Sequence, residues 1–185
     1  SARDGSMAAS FRVLLVVEDK RGAPFYRGIV RRLKEGGHLP ACVAIAGVRK
    51  CEKCNSKLGR IVRAALAPLR AWGASDRVVI VVDAEGRPLE QAREEASRHV
   101  PAEHRERTRV VVLPYCAEGW VCVGLGLPFG SERTPVDALK DHLRKRRGAK
   151  ADYQKYMLGG FVDKLDMDRL MKHPSFREFV EALRP

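Results

Sequence analysis

Four short apolar runs alternate with amphipathic segments along the first two thirds of the chain. The runs are rich in Val and Leu, and nearly continuous apolar stretches of this length are typical of strands buried on both faces of a sheet. Strands that alternate with helices predict right-handed crossovers and a mainly parallel sheet. The predicted strands are residues 11–17, 41–46, 77–82 and 109–113.

The intervening helices are predicted from apolar residues spaced three and four apart and from helix-ending residues. Pro24 near the start and Gly36-Gly37 at the end delimit the first helix. Pro68 is expected to kink the second half of the next one. A short apolar stretch, residues 120–127, follows the fourth strand. The predicted helices of this part are residues 23–35, 58–72 and 88–99.

The pattern changes at Pro135, after which only helical spacing is found. We therefore predict an α/β core over residues 7–134 and a helical C-terminal extension, packed on that core, over residues 135–185. Residues 1–6 are expected to be an expression-tag remnant before a natural start at Met7. The predicted helices of the extension are residues 136–146, 152–164, 167–172 and 175–183.

The charge of the chain predicts an attraction to polyanions. Its 35 Lys and Arg outnumber 23 Asp and Glu, for a formal net charge of +12. Either of two basic clusters alone could be a solvated face, but together they favour nucleic acid, RNA or DNA. Neither is interleaved with Trp or Phe, which disfavours a membrane surface. The first contains Arg49, Lys50, Lys53, Lys57 and Arg60, and the second Arg144, Lys145, Arg146 and Arg147, within residues 140–150.

No apolar run approaches the ~20 residues that a membrane-spanning helix needs, and no secretory segment follows Met7, so a cytoplasmic location is expected. Five cysteines without an export signal predict free thiols, not a disulfide framework. Cys51 and Cys54 form a CxxC without a second CxxC or a His pair. Unligated thiols are favoured there, with a Zn²⁺ site or a disulfide as alternatives.

Acidic residues follow two of the predicted strands. Glu18 comes after the first strand, and Asp83 and Glu85 come after the third. Ligands of open α/β sheets bind outside the carboxyl ends of the strands, and residues i and i+2 of an extended segment point the same way. Each acid alone could begin a loop or cap a helix. Together they predict a site for Mg²⁺ or Mn²⁺, which takes carboxylates, water and substrate phosphate as ligands.

Glu18 after a first strand and Asp83-Ala84-Glu85-Gly86 after a later one resemble the Toprim domain. That domain is shared by topoisomerases, primases, small ribosomal-RNA maturases and the overcoming-lysogenization-defect nucleases. The resemblance covers residues 11–113 and implies a four-stranded α/β sheet, Mg²⁺ dependence and phosphodiester chemistry. The chain departs from the family in having Asp-x-Glu for Asp-x-Asp, and in a glycine that arrives only at Gly22.

Further short motifs resemble those of small stand-alone prokaryotic Toprim-like proteins and extend the likeness over most of the chain. These are Pro114, Glu118-Gly119-Trp120, Tyr153-Gln154-Lys155 and Phe176-Arg177-Glu178-Phe179.

The resemblance implies a role for each acid and for one lysine. Glu18 would be a general base or metal ligand, and Asp83 and Glu85 metal ligands. Glu118 would be a fourth acid, unless it is a bystander, and Lys155 a phosphate or transition-state contact.

Three further side chains have two interpretations each. Trp120 is either a core residue, which we favour, or a base-stacking platform. Lys20 and Arg21, beside Glu18, either bind phosphate or form a salt bridge with Glu18.

These features predict a metal-dependent nuclease. The first alternative is a non-catalytic nucleic-acid-binding or regulatory module on a Toprim scaffold. A third candidate is a defence-associated or toxin-like protein that acts on a structured RNA. No P-loop, Rossmann or GxSxG motif is found in the sequence.

Overall fold

A computed structural model describes residues 9–52, 55–67 and 74–185. Over these residues, four strands form one sheet in the order β2-β1-β3-β4, and every neighbouring pair is parallel. The strands are β1 (Phe11–Val17), β2 (Val43–Lys50), β3 (Arg77–Asp83) and β4 (Thr108–Leu113).

Seven α-helices and three 3-10 segments are found in the same ranges. The α-helices are α1 (Ala23–Glu35), α2 (Ser56–Ala65), α3 (Leu89–Ser97), α4 (Ala117–Leu125), α5 (Pro135–Arg147), α6 (Met167–Met171) and α7 (Pro174–Leu183). The 3-10 segments are Lys20–Gly22, Ala102–Arg107 and Lys155–Lys164.

The sheet separates two apolar layers, because successive side chains of a strand point to opposite faces. Val13 and Leu15 face a layer that contains residues of α1, α4, α5, α7 and the 3-10 segment Lys155–Lys164. Leu14 and Val16 face a smaller layer formed with α2 and α3. Both faces are therefore covered, which explains the continuous apolar runs. The predicted fold class is confirmed: α/β, with a parallel four-stranded sheet flanked by helices and a helical C-terminal extension.

The edge strand β2 continues four residues beyond its predicted end at residue 46. Its pairing with β1 shifts by one residue between Val13 and Leu14 and then continues to the pair Val17–Lys50. An edge strand has an exposed side, so it can contain polar residues such as Arg49 and Lys50. The prediction ended β2 too early because it required apolar residues.

Three segments differ from their predictions. Helix α2 ends at Ala65 instead of residue 72; residues 68–73, including Pro68, lie outside the described ranges. The apolar stretch 120–127, for which no helix was predicted, lies in helix α4 as far as Leu125; this helix is nearly all buried and has no polar face to reveal its period. Residues 155–164 form a 3-10 segment, whose three-residue repeat places Leu158 and Phe161 on one face.

Within the described part of the chain, no helix combines the length and apolar character needed to cross a membrane.

Candidate active site

Strands β1 and β3 bring two carboxylates into contact at one end of the sheet. The strands are parallel neighbours, so their carboxyl ends meet at the same edge. The backbone N–H and the carboxyl group of Asp83 lie within hydrogen-bonding reach of the Glu18 carboxylate and lower its pKa, although burial raises it more. Residues 65 positions apart in sequence are thus joined at the tip of the sheet.

Glu85 reaches the same site from a turn. The prediction that Asp83 and Glu85 point the same way assumed an extended strand, which is not found at Glu85. Strand β3 ends at Asp83, and Glu85 has a left-handed backbone with φ of 52°. Its N–H donates to the carbonyl of Tyr115 at 3.2 Å, and the N–H of Gly86 donates to that of Pro114 at 2.9 Å. These bonds to the loop after β4 hold the turn. Non-glycine residues in this region are strained, and such strain is found preferentially at functional sites.

Replacing Glu85 with glycine is expected to stabilise the folded protein by about 1 kcal/mol relative to E85A, because glycine adopts positive φ without strain. Both variants remove the same carboxylate, so their comparison isolates the backbone. Urea unfolding at neutral pH measures the difference. Equal free energies of unfolding for E85G and E85A would mean that the turn is not strained.

Glu118 lies in the site as the buried partner of Lys155. Its side chain is 1% exposed, and the Lys155 ammonium donates to both of its oxygens at 2.7 and 3.2 Å. The Tyr153 hydroxyl donates to the same carboxylate at 3.1 Å. A buried carboxylate requires such partners. Burial, and then charges that include Glu118, raise the pKa of Asp83 and of Glu85.

Burial and mutual repulsion raise the pKa of three of these acids. Burial, and then the neighbouring Glu18, raise the pKa of Asp83 to about 8, although Lys155 opposes the shift. Burial also raises the pKa of Glu18 and of Glu85. A divalent cation among these oxygens would offset the repulsion, so the donor set fits a hard metal.

The carboxylates are not already arranged as a metal site. Among the described residues, no group of three or more His, Cys, Asp or Glu side chains is placed to hold a metal ion. The reason lies in the contacts above: Glu118 is occupied by Lys155 and Tyr153, and Glu85 lies on a separate turn.

A cavity of about 480 Å³ opens beside the acids on the side of α3. Such a volume is within the range of small-ligand clefts. Its wall combines the three acids with basic side chains of the turn after β3 and of the end of α3. The lining includes Glu18, Asp83, Glu85, Arg87, Arg98 and His99.

Lys20 and Arg21 are exposed on the 3-10 segment directly after Glu18. Arg21 forms its ion pair with Asp19 at 3.3 Å, and Asp19 also accepts from the Arg21 backbone N–H at 2.9 Å. The predicted alternative of a salt bridge between Arg21 and Glu18 is therefore wrong. Arg21 pairs instead with Asp19, the N-cap residue of the same 3-10 segment.

Trp120 is a core residue, as favoured from the sequence. It is 1% exposed, its indole N–H donates to Ser175 Oγ at 2.9 Å, and its ring lies 5.1 Å from those of Phe176 and Phe179. The base-stacking alternative for Trp120 is thereby excluded. The short motifs at Glu118–Trp120, at Tyr153–Lys155 and at Phe176–Phe179 thus contact one another around α4.

The first basic cluster adjoins the acids. Arg49, Lys50, Lys57 and Arg60 line a cavity of about 880 Å³ that is also lined by Cys51. The Cys51 N–H donates to the carbonyl of Val17, the residue before Glu18, at 2.9 Å. Lys53 and Cys54 lie outside the described residues, so unligated thiols at Cys51 and Cys54 stay the prediction, with a Zn²⁺ site or a disulfide as alternatives.

The second basic cluster occupies the last turn of α5. Arg146 and Arg147 line a recess with Lys164, at the opposite end of the 3-10 segment from Lys155. Arg144, Lys145, Arg146 and Arg147 thus lie together on one turn, away from the acids.

Sequence reasoning missed three groups near the acids. Tyr26, on the apolar face of α1, is buried, and burial and then the Asp83 charge raise the pKa of its phenol. Cys116, the N-cap of α4, is also buried, and its thiol pKa is raised mainly by burial and then by Glu118. Tyr153 was visible only as part of the Tyr-x-Lys motif. Apolar spacing marks such residues as core and gives no sign of nearby carboxylates.

Comparison of the chain with protein-family models, with curated proteins and with solved structures finds no match in any of the three.

Proposed function

We propose that this chain is a metal-dependent nuclease that cleaves nucleic-acid phosphodiesters with a Toprim-like site, using Mg²⁺ or Mn²⁺. The observation that carries the proposal is the contact of Glu18 with Asp83 at the end of a parallel sheet, in a cavity that Glu85 also lines, beside a buried Lys155–Glu118 pair. Carboxylates this close are costly unless protons or cations neutralise them. Binding a cation is a direct use for such an arrangement.

Each residue has a distinct task in this proposal. Glu18 and Asp83 would hold the cation and Glu85 would complete its shell, or Glu18 would accept a proton from the attacking water. When bound, the cation polarises the phosphate and lowers the pKa of a water ligand. Glu118 raises the pKa of Lys155 against the opposing effect of burial. Lys155 therefore stays protonated at neutral pH and presents a positive charge to the phosphate.

The experiment that tests the proposal is metal-dependent cleavage. Labelled RNA and DNA, single- and double-stranded, are incubated with the protein in Mg²⁺, in Mn²⁺ and in EDTA. Cleavage with either metal and none in EDTA is the expected result. No cleavage of any substrate in either metal would contradict the nuclease proposal.

A non-catalytic nucleic-acid-binding or regulatory module is the second candidate. It is favoured by Glu118, which Lys155 and Tyr153 already neutralise, and by the absence of a prearranged metal group among the described residues. Salt-sensitive binding that is the same in Mg²⁺ and in EDTA, without cleavage, would support this candidate.

Under either candidate, the first basic cluster is expected to contact the phosphate backbone. The double variant K57A/R60A should therefore lower the slope of log affinity against log salt by about 2, one for each lost phosphate contact. The matched control, R146A/R147A, removes the same charge from the far end of the 3-10 segment and should leave the slope nearly unchanged. Binding titrations over a range of KCl concentrations measure both. Equal slopes for the two variants would contradict a specific role of the cavity.

A further inference from the structure

The 3-10 segment Lys155–Lys164 begins in the acid site and turns an aromatic ring into solvent. Lys155 points inward to Glu118, whereas the adjacent Tyr156 is 78% exposed. Leu158 and Phe161 of the same segment are buried in the core. Residues three apart in a 3-10 helix lie on one face, so Lys155, Leu158 and Phe161 share a face to which Tyr156 does not belong.

Packing of the fold gives no reason for an aromatic residue at this position. Among the residues that the structure describes, Tyr156 and Leu89 are the large apolar side chains that are exposed. The rings of Tyr115, Tyr26 and Tyr153 all contact other rings, whereas Tyr156 takes part in none of the ring contacts within the described ranges. A lone exposed ring is not unusual by itself, so its surroundings decide its meaning.

Exposed basic side chains lie on the 3-10 segment that packs against the one containing Tyr156. The 3-10 segment Lys20–Gly22, which directly follows the site, packs against the segment that contains Tyr156, with Gly22 beside the Leu158 side chain. Lys20 and Arg21 are both exposed there. Lys155 lies close enough to lower the pKa of Asp19, although burial opposes that shift and the Arg21 hydrogen bonds contribute more to it. Adjoining segments thus present an exposed ring and exposed cations, the two kinds of group that bind single strands.

We propose that Tyr156 is a stacking platform for an unpaired base, and that single-stranded nucleic acid is the substrate class of the site. The inference rests on the proposed function for the position of the scissile phosphate. In a duplex each base is covered by its neighbours, so a ring on the rim can stack only on a base that is unpaired and splayed out. Lys20 and Arg21 contact the phosphates that flank this base.

The test is binding of a fluorescein-labelled single-stranded oligonucleotide of mixed sequence, in EDTA, so that no cleavage interferes. Y156A is expected to weaken binding about 10-fold, within the range measured when a stacking aromatic is removed. Y156F retains the ring and should bind like the unchanged protein. L89A, the control at the other exposed large apolar residue, should also have no effect. A duplex of the same sequence should bind Y156A and the unchanged protein equally.

Abasic substitutions locate the base. A series of oligonucleotides is made, each with one abasic site at a different position. At one position the abasic site should weaken binding of the unchanged protein but not of Y156A, because Y156A has already lost the ring on which that base stacks. Equal single-strand affinities of Y156A and the unchanged protein would overturn the inference, as would equal losses in Y156F and Y156A. A different result, the absence of metal-dependent cleavage, would contradict the nuclease proposal, so the two proposals can fail independently.

Discussion

Replacing Asp83 with asparagine is expected to remove metal-dependent cleavage while making the protein more stable at pH 8. Asparagine has nearly the same size but cannot carry the charge that binds a cation. We expect a loss of cleavage rate of about 100- to 1,000-fold, the range for removal of one strong electrostatic contact from an active site. Initial rates in saturating Mg²⁺ measure the effect.

The stability change has a definite sign and pH range. Asp83 has a pKa of about 8 in the folded protein against an ordinary value of 3.8, mainly because of burial and of Glu18. Ionisation therefore opposes folding, and this penalty is absent below about pH 4 and grows as the pH rises to about 8. D83N avoids the penalty, so its advantage should increase over the same range and reach about 1–3 kcal/mol. Urea unfolding in EDTA at several pH values measures it.

The control is D163N, which removes an exposed carboxylate paired with Arg31, far along the chain from the acids. D163N should cleave normally. Its free energy of unfolding relative to that of the unchanged protein should not increase between pH 4 and pH 8, in contrast to that of D83N. Added Mg²⁺ should raise the melting temperature of the unchanged protein more than that of D83N. Normal cleavage by D83N would remove Asp83 from the mechanism.

Replacing Lys155 with methionine is expected to cost about 3–5 kcal/mol of folding free energy, because it leaves the Glu118 carboxylate buried without its cation. Methionine keeps the length of the apolar stem, so packing changes little. The double variant E118Q/K155M should recover most of the loss, since a buried amide needs only hydrogen bonds and the Tyr153 hydroxyl remains. Urea unfolding of the single and double variants measures the coupling.

Cleavage by the same variants separates the two roles of Lys155. If its ammonium contacts the phosphate, cleavage should stay low in E118Q/K155M even after stability has been recovered. Restored cleavage in the double variant would show that Lys155 only supports the fold around α4. E118Q alone retains the ammonium and is the matched comparison for its effect on rate.

Much of the fold follows from local patterns. Strand β1 has its predicted ends and β3 extends by one residue to Asp83, because both are buried on two faces. The sequence predicts that Glu18 and Asp83 lie at the same edge of a parallel sheet, and the adjacency of β1 and β3, which only the structure shows, brings them together.

Other features depend on contacts between distant parts of the chain. The left-handed turn at Glu85 is fixed by carbonyls of residues 114 and 115, which the sequence around Glu85 does not reveal. Helix α4 has no amphipathic pattern because both its sides are covered. The basic clusters look alike as sequence, and only tertiary structure shows that one adjoins the acids and the other lies at the far end of a 3-10 segment.

The alternation of side chains along β1 and β3 has a consequence for the direction from which a substrate would approach. Glu18 continues the row of Leu14 and Val16, on the side of α2 and α3, and shares a small cavity there with Leu58. Asp83 continues the row of Val79 and Val81 on the opposite side, where its charge raises the pKa of the buried Tyr26, after burial itself. Their carboxylates therefore meet at the rim from opposite faces of the sheet. Under the proposed function, a substrate phosphate would reach them from the side of α3, where the cavity lined by Glu18 lies.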